Sequence, residues 1–202
     1  MIVTDISALD KKRSKVFIDG EFAFVLYNTE LREYKIKADQ ELDPATYRII
    51  TEDLLPKRAT KRAMNLLQKK DYTEKQLRDK LSEGMYSSEC MDAAIEYVKS
   101  YRYLDDERFA RDYITYHMEL RSRQRIIQDL SGKGISKDLC EKLMLEIYEE
   151  SEEDVESVQI QKLLIKKHFD KNMDFKEKQK VMAFLLRRGY SMDAIRHEMD
   201  RM

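Results

Sequence analysis

The chain has 202 residues, with 38 Lys and Arg against 39 Asp and Glu, so its formal net charge is −1. Five glycines and two prolines are too few for collagen, long flexible linkers, most turn-rich β architectures or a glycine-rich phosphate loop. The longest apolar run covers only residues 22–27, whereas a membrane helix needs about 20 residues. The N-terminus has no secretory signal pattern, so Cys90 and Cys140 are expected to be buried thiols. We therefore expect a cytosolic, soluble, mostly helical protein.

The first fifty residues predict a small β region. Asp19-Gly20 separates two apolar, aromatic-rich runs, and this pairing is typical of a β-hairpin because glycine tolerates a positive φ. Weak alternation over residues 2–9 favours a third strand, and short helices are expected over residues 29–34 and after Asp43-Pro44. This region either caps the apolar end of the helical part or forms a separate docking element.

An internal repeat of about fifty residues dominates the rest of the chain. Residues 80–87, 129–136 and 184–191 each contain a helix end, a turn, an apolar residue and a serine. Gly134 and Gly189 suit the left-handed residue that ends a helix, whereas Met85 predicts a different cap in the first copy. Each serine suits the N-cap of the next helix, and the residue before it suits a hydrophobic staple; the three pairs are Tyr86-Ser87, Ile135-Ser136 and Tyr190-Ser191.

Each copy of the repeat predicts three helices, placed at 57–69, 73–83 and 87–100, then 106–120, 123–132 and 136–148, then 155–168, 175–187 and 191–201. The predicted fold is mainly α, with three tandem three-helix repeats forming an elongated arc behind a small N-terminal β-hairpin or sheet. The predicted domains are a β-rich extension (1–53) and the three repeats (54–104, 105–150 and 151–202).

The near-zero net charge hides strong segregation. Residues 57–80 and residues 162–188 each carry nine basic and three acidic residues, whereas residues 149–156 carry six acids and no base. The recurring excess favours basic faces that bind a long polyanion in a salt-dependent way, although solvated helix faces would give the same pattern. The candidate contact residues are Lys57, Arg58, Lys61, Arg62, Arg121, Arg123, Arg125, Lys133, Lys166, Lys167, Lys178, Lys180, Arg187 and Arg188.

Residues that suggest catalysis have simpler interpretations. Asp105-Asp106 resembles the paired carboxylates of metal nucleases, but its place before an apolar helix start favours capping. Three separated histidines and no Cys-x-x-Cys predict no metal site, and no cofactor motif is present. No nucleophile, base and oxyanion hole come together, so we expect no enzyme. Five tyrosines are expected to pack, although they have the chemistry to stack on bases: Tyr97, Tyr101, Tyr103, Tyr113 and Tyr116.

Four segments, in order, resemble motifs of the bacterial RecX family. They are Tyr-Leu-Asp-Asp-Glu-Arg-Phe-Ala at 103–110, the helix at 73–81, Leu-Ser-Gly-Lys-Gly-Ile at 130–135, and 178–191 with its Arg-Arg-Gly-Tyr. The resemblance covers about residues 57–202, and the hairpin region is similar to the extension of some members. The chain departs from the family at Arg102 and Ser122, where glycine is usual.

The resemblance implies a non-enzymatic modulator of the recombinase RecA. Such a protein binds the RecA–single-stranded-DNA filament, lies in its groove and inhibits ATP hydrolysis and strand exchange. It also binds single- and double-stranded DNA by itself, and we expect a monomer. Two alternatives stay open: a stand-alone DNA-binding module that does not act on RecA, and a divalent-metal nuclease built on Asp105 and Asp106.

Overall fold

The computed structural model describes residues 1–149, 151 and 154–202. The acidic segment at 149–156 therefore includes three positions that lie outside the described residues. The chain forms two compact units, Met1–Asp105 and Asp106–Met202, and the predicted division into four domains stays a prediction. No helix in the described ranges is long and apolar enough to cross a membrane.

An antiparallel sheet opens the N-terminal unit. Its strands are β1 (Ile2–Ala8), β2 (Arg13–Ile18), β3 (Glu21–Tyr27) and β4 (Gln40–Glu41), in the order β3-β2-β1-β4. Asp19 and Gly20 join β2 to β3 with φ values of +50° and +89°, which confirms the hairpin. The third strand is also confirmed, whereas β4 was not predicted.

The helices of the N-terminal unit pack directly on this sheet. They are α1 (Asn28–Glu33), α2 (Pro44–Arg48), the π-helical segment Ile49–Leu54, α3 (Leu55–Leu67), α4 (Glu74–Ser82) and α5 (Ser88–Ser100). Phe24 and Leu26 of the sheet share one buried cluster with Ile50, Leu77 and Leu81 of the helices. The sheet thus closes the core of the first three-helix module, α3–α5, as the capping alternative expects.

Two further three-helix modules build the C-terminal unit. The second module contains α6 (Asp106–His117), α7 (Arg123–Gly132) and α8 (Lys137–Glu149), and the third contains α9 (Val155–Lys166), α10 (Phe175–Arg187) and α11 (Met192–Arg201). Each has its own buried cluster, around Ile126 and Leu130 in the second module and around Leu164 and Leu185 in the third. Every predicted helix end in the three modules lies within three residues of the observed one.

The ends of these helices follow the repeated turn pattern. Ser87 and Ser191 accept hydrogen bonds from the backbone N–H groups three residues later, at 3.3 and 3.1 Å, and Ser136 does the same. The cap at Met85 has the same backbone conformation as the other two copies, because its φ is +59°, in the left-handed region of Gly134 and Gly189. It differs in its hydrogen bonds: the N–H groups of Ile135 and Tyr190 donate to carbonyls five residues earlier, at 3.1 and 3.4 Å, and the described bonds of the first copy include no such partner for Tyr86. The left-handed conformation costs a side-chain-bearing residue about 1–2 kcal/mol.

A buried carboxylate ties two helices of the third module together. Glu198 of α11 is 2% exposed; its Oε1 accepts from Ser157 Oγ at 2.6 Å and its Oε2 from Gln161 Nε2 at 2.5 Å. Burial pushes the pKa of Glu198 upward, but these two hydrogen bonds and the nearby charge of Arg201 together outweigh burial and hold the pKa below its usual value. The ionised form of Glu198 is therefore part of the α9–α11 contact.

We expect Glu198 to make the third module acid-sensitive. Because its folded pKa is depressed, its contribution is fully present above the unfolded pKa of about 4.3 and is lost as pH falls through the lower folded value. Urea unfolding should therefore show that E198Q is less stable than the parent chain at neutral pH and that the difference in unfolding free energy narrows as the pH falls below the unfolded pKa of about 4.3. A gap that stays constant over this range would contradict the assignment.

Candidate nucleic-acid interface

A half-buried carboxylate on α7 gathers two of the predicted arginines. The Asp129 side chain is 17% exposed, and its carboxylate lies 2.5 Å from Arg121 Nη1 and 3.3 Å from Arg125 Nε. Tyr113 of α6 donates its hydroxyl to the same carboxylate at 3.4 Å and accepts from Arg121 Nη1 at 3.0 Å. One carboxylate therefore positions two guanidinium groups, and the three side chains together carry a net positive charge.

A row of rings on α6 continues from these arginines. Lys133 Nζ lies 5.6 Å from the Tyr113 ring centroid. The ring centroids of Tyr113 and His117 are 4.2 Å apart, and those of Tyr116 and His117, which meet edge to face, are 4.9 Å apart. Burial, followed by the charge of Arg121, lowers the pKa of His117, so the imidazole is neutral at pH 7. We call these residues the α6–α7 cluster: Tyr113, Tyr116, His117, Arg121, Arg125, Asp129 and Lys133.

The third module brings two more predicted cations together on one ring. The Phe184 ring centroid lies 4.4 Å from Lys167 Nζ and 4.7 Å from the Arg188 guanidinium carbon. The Arg188 backbone also touches the second module, because Ser122 Oγ donates to its carbonyl at 2.7 Å. Within the C-terminal unit, this hydrogen bond therefore joins a residue beside Arg121 in the second module to Arg188 in the third module.

Two of the predicted contact residues make contacts within the fold, and of these only Arg58 is largely buried. Arg58 pairs with the Glu30 carboxylate, donates to the Val25 carbonyl at 3.1 Å and has a side chain only 17% exposed. Arg123 lies with its guanidinium carbon 4.1 Å from the Tyr148 ring centroid, and its backbone N–H donates to Glu156 at 3.0 Å. Arg58 therefore has a structural role, whereas the Arg123 side chain is 42% exposed, as open as the 40% exposed side chain of Arg121, and remains a candidate contact.

The remaining predicted cations lie on helix surfaces or turns. Lys57 pairs with Asp53 at 2.6 Å in an exposed position, and Lys178 Nζ donates to the Lys171 carbonyl. Five more of the predicted cations are exposed: Lys61, Arg62, Lys166, Lys180 and Arg187. The structure therefore groups Arg121, Arg125 and Lys133, pairs Lys167 with Arg188, and leaves these others dispersed along their helices.

The other sequence candidates also have definite places. α6 begins at Asp106, directly after Asp105, which is where the capping interpretation puts the pair. No three His, Cys, Asp or Glu side chains are grouped as metal ligands in the described part of the chain.

The expectation that the tyrosines pack inside the protein is wrong for four of them. The exposed fractions of Tyr97, Tyr101, Tyr103 and Tyr116 are 42, 58, 50 and 75%.

Sequence reasoning missed the groups that organise the cations. Asp129 lies four residues after Arg125, and this helical spacing is a signal that was available in the sequence. Nothing local points to Phe184, since Lys167 reaches its ring from another helix end, or to Glu156, which lies 33 residues from Arg123.

Comparison with known proteins places the whole helical part in one family. Models of the first, second and third three-helix domains of RecX match residues 59–97, 105–144 and 154–199. Among curated relatives named "Regulatory protein RecX", the one from Caldanaerobacter subterraneus subsp. tengcongensis is 31% identical over 197 residues, covering 96% of each chain. The one from Clostridium perfringens strain 13 is 32% identical over 193 residues, covering 94% of this chain and 89% of that protein.

Solved structures share the fold at lower identity. A crystal structure of regulatory protein RecX matches with a TM-score of 0.66 and 22% identity over 98% of both chains. The RecX structure from Lactobacillus salivarius matches 73% of this chain and 98% of its own, with a TM-score of 0.61 and 22% identity. With three domain models in order and relatives that span nearly the full length, the chain belongs to the RecX family of regulatory proteins.

Proposed function

We propose that this protein regulates RecA by binding the RecA–single-stranded-DNA filament and inhibiting ATP hydrolysis and strand exchange, without catalysis of its own. Membership of the RecX family is the observation that carries the proposal, since the curated relatives are regulatory proteins. The proposed partners are the RecA filament and single- or double-stranded DNA. We propose that the protein binds them as a monomer in the cytoplasm.

The charges of the C-terminal unit support a polyanionic partner. Arg121 and Arg125 share one carboxylate, that of Asp129, Lys133 lies over the neighbouring Tyr113 ring, and Lys167 and Arg188 share one ring. Each phosphate that such a group neutralises releases counterions and adds to the salt dependence of binding. If the three modules form the elongated arc that the repeats predict, weak contacts from each of them add through effective concentration.

The deciding experiment is a RecA–single-stranded-DNA ATPase assay with stoichiometric protein. We expect the ATPase rate to fall with the parent chain and to recover with R121A/R125A, because the double variant removes two of the grouped cations. K137A is the matched control, since Lys137 is an exposed lysine of the same unit that pairs with Glu141 outside the proposed contact set. An unchanged rate with the parent chain would reject the proposal.

A stand-alone DNA-binding module is the second candidate, and the grouped arginines favour it as much as they favour filament binding. It predicts full affinity for naked DNA, no effect on the ATPase rate and capture of RecA only when DNA bridges the two proteins. A pull-down of RecA with and without nuclease treatment separates these outcomes. RecA that stays bound after DNA is removed excludes this candidate.

A further inference from the structure

The most exposed ring of the α6–α7 cluster has no role in the packing of the second module. Tyr116 is 75% exposed, and its ring contact is the edge-on approach to His117, at 4.9 Å and 85°. A single exposed ring is common on protein surfaces, so the groups around Tyr116 decide what it can bind. Tyr116 is therefore a side chain that the fold presents to solvent.

The rings beside Tyr116 are themselves fixed in the fold. Tyr113 lies 4.2 Å from His117 on the same helix, and the Tyr113 hydroxyl is fixed between Arg121 and Asp129. His117 is half-buried with a lowered pKa, so it supports Tyr116 as a neutral ring. The His117 ring, which Tyr116 touches, is therefore a fixed support.

The charges beside these rings select the ligand. Arg121 and Arg125 share the one carboxylate of Asp129, which leaves a net positive charge, and Lys133 Nζ lies over the Tyr113 ring of the same row. A flat ring next to an excess of cations matches a strand that offers bases and phosphates together. Bases are free to stack only when the strand is unpaired, because a duplex keeps them in its interior.

We propose that the α6–α7 cluster is a binding site for single-stranded DNA in which a base stacks on Tyr116 and the neighbouring phosphates meet Arg121, Arg125 and Lys133. The site deepens the proposed function, because the RecA filament contains such a strand, and it rests on that function for its biological setting. Binding itself requires no RecA, so it is tested without the recombinase.

The test measures binding of the full chain to three labelled probes of about 20 nucleotides: oligothymidylate, an abasic strand with the same number of phosphates, and a duplex. Stacking on one aromatic side chain is worth about 1–3 kcal/mol per base, so we expect the parent chain to bind oligothymidylate about tenfold more tightly than the abasic strand. Y116L should lose that ratio and leave both the abasic affinity and the salt slope unchanged.

Two matched variants make the result specific to this ring. Y116F keeps the ring and should bind as the parent chain does, whereas Y101L removes an equally large exposed ring from the N-terminal unit and should also bind normally. The proposal is overturned if the parent chain binds both single strands equally, if Y116L keeps its preference, or if Y101L loses it to the same extent. Failure of the ATPase assay alone would reject RecA regulation and leave this base preference standing.

Discussion

Replacing Arg58 with alanine is expected to lower the free energy of unfolding of the N-terminal unit by about 3 kcal/mol, the cost of breaking a largely buried ion pair. The Arg58 and Glu30 side chains are 17 and 16% exposed. Glu30 also accepts from the Tyr27 backbone N–H at 2.7 Å, and Arg58 donates to the Val25 carbonyl. R58A would leave a carboxylate and a carbonyl without this donor at the contact of α1, α3 and the sheet.

The neighbouring residue supplies the control for this prediction. Lys57 pairs with Asp53, but the two side chains are 74 and 58% exposed, so K57A should cost no more than about 0.5 kcal/mol. Urea unfolding followed by far-UV circular dichroism measures both. Similar small losses for the two variants would show that the Arg58 pair is not structural. Under conditions in which R58A stays folded, it should bind DNA as tightly as the parent chain.

The positions of the repeated helices could be predicted because local chemistry sets their ends. Ser87 and Ser191 bond to N–H groups three residues away, and Gly134 and Gly189 adopt a positive φ in the turns. Met85 shows the limit of this reasoning, since a methionine there adopts a φ of +59°, a conformation that favours glycine. β4 was missed for a related reason: two residues that pair with Ile2 and Val3 leave no pattern of their own.

The roles of individual basic residues could not be predicted, because their partners lie far away in the sequence. Arg58 meets Glu30 from 28 residues away and Arg123 meets Glu156 from 33 residues away, so a count of charges does not show that Arg58 is 17% exposed whereas Arg123 is 42% exposed. The exposure of Tyr116 was hidden likewise, because helical spacing alone does not tell which side of a three-helix module stays open. The sequence could identify the basic modules, and the structure separates structural from surface cations.

Replacing Gly189 with alanine is expected to lower the free energy of unfolding of the C-terminal unit by about 3 kcal/mol. The loss comes from backbone strain and from lost hydrogen bonds. Gly189 has a φ of +90°, and a Cβ there would lie 2.6 Å from Ser122 Oγ. Ser122 is 1% exposed; its hydroxyl donates to the Arg188 carbonyl at 2.7 Å and accepts from the Arg125 N–H at 3.3 Å. The new methyl group would displace the hydroxyl that both caps α7 and joins the second and third modules.

A double-mutant cycle separates the two causes of this loss. G20A places the same side chain at a φ of +89° with no atom within 4 Å, so it should cost its own unit only the strain of about 1–2 kcal/mol. S122G removes the displaced hydroxyl, so G189A should cost less in that background than in the parent chain, with a coupling of about 1–2 kcal/mol. Urea unfolding gives the free energies, and hydrogen exchange of the α7 and α11 amides locates the loss. Additive effects of G189A and S122G would mean that the contact between Gly189 and Ser122 does not join the two modules.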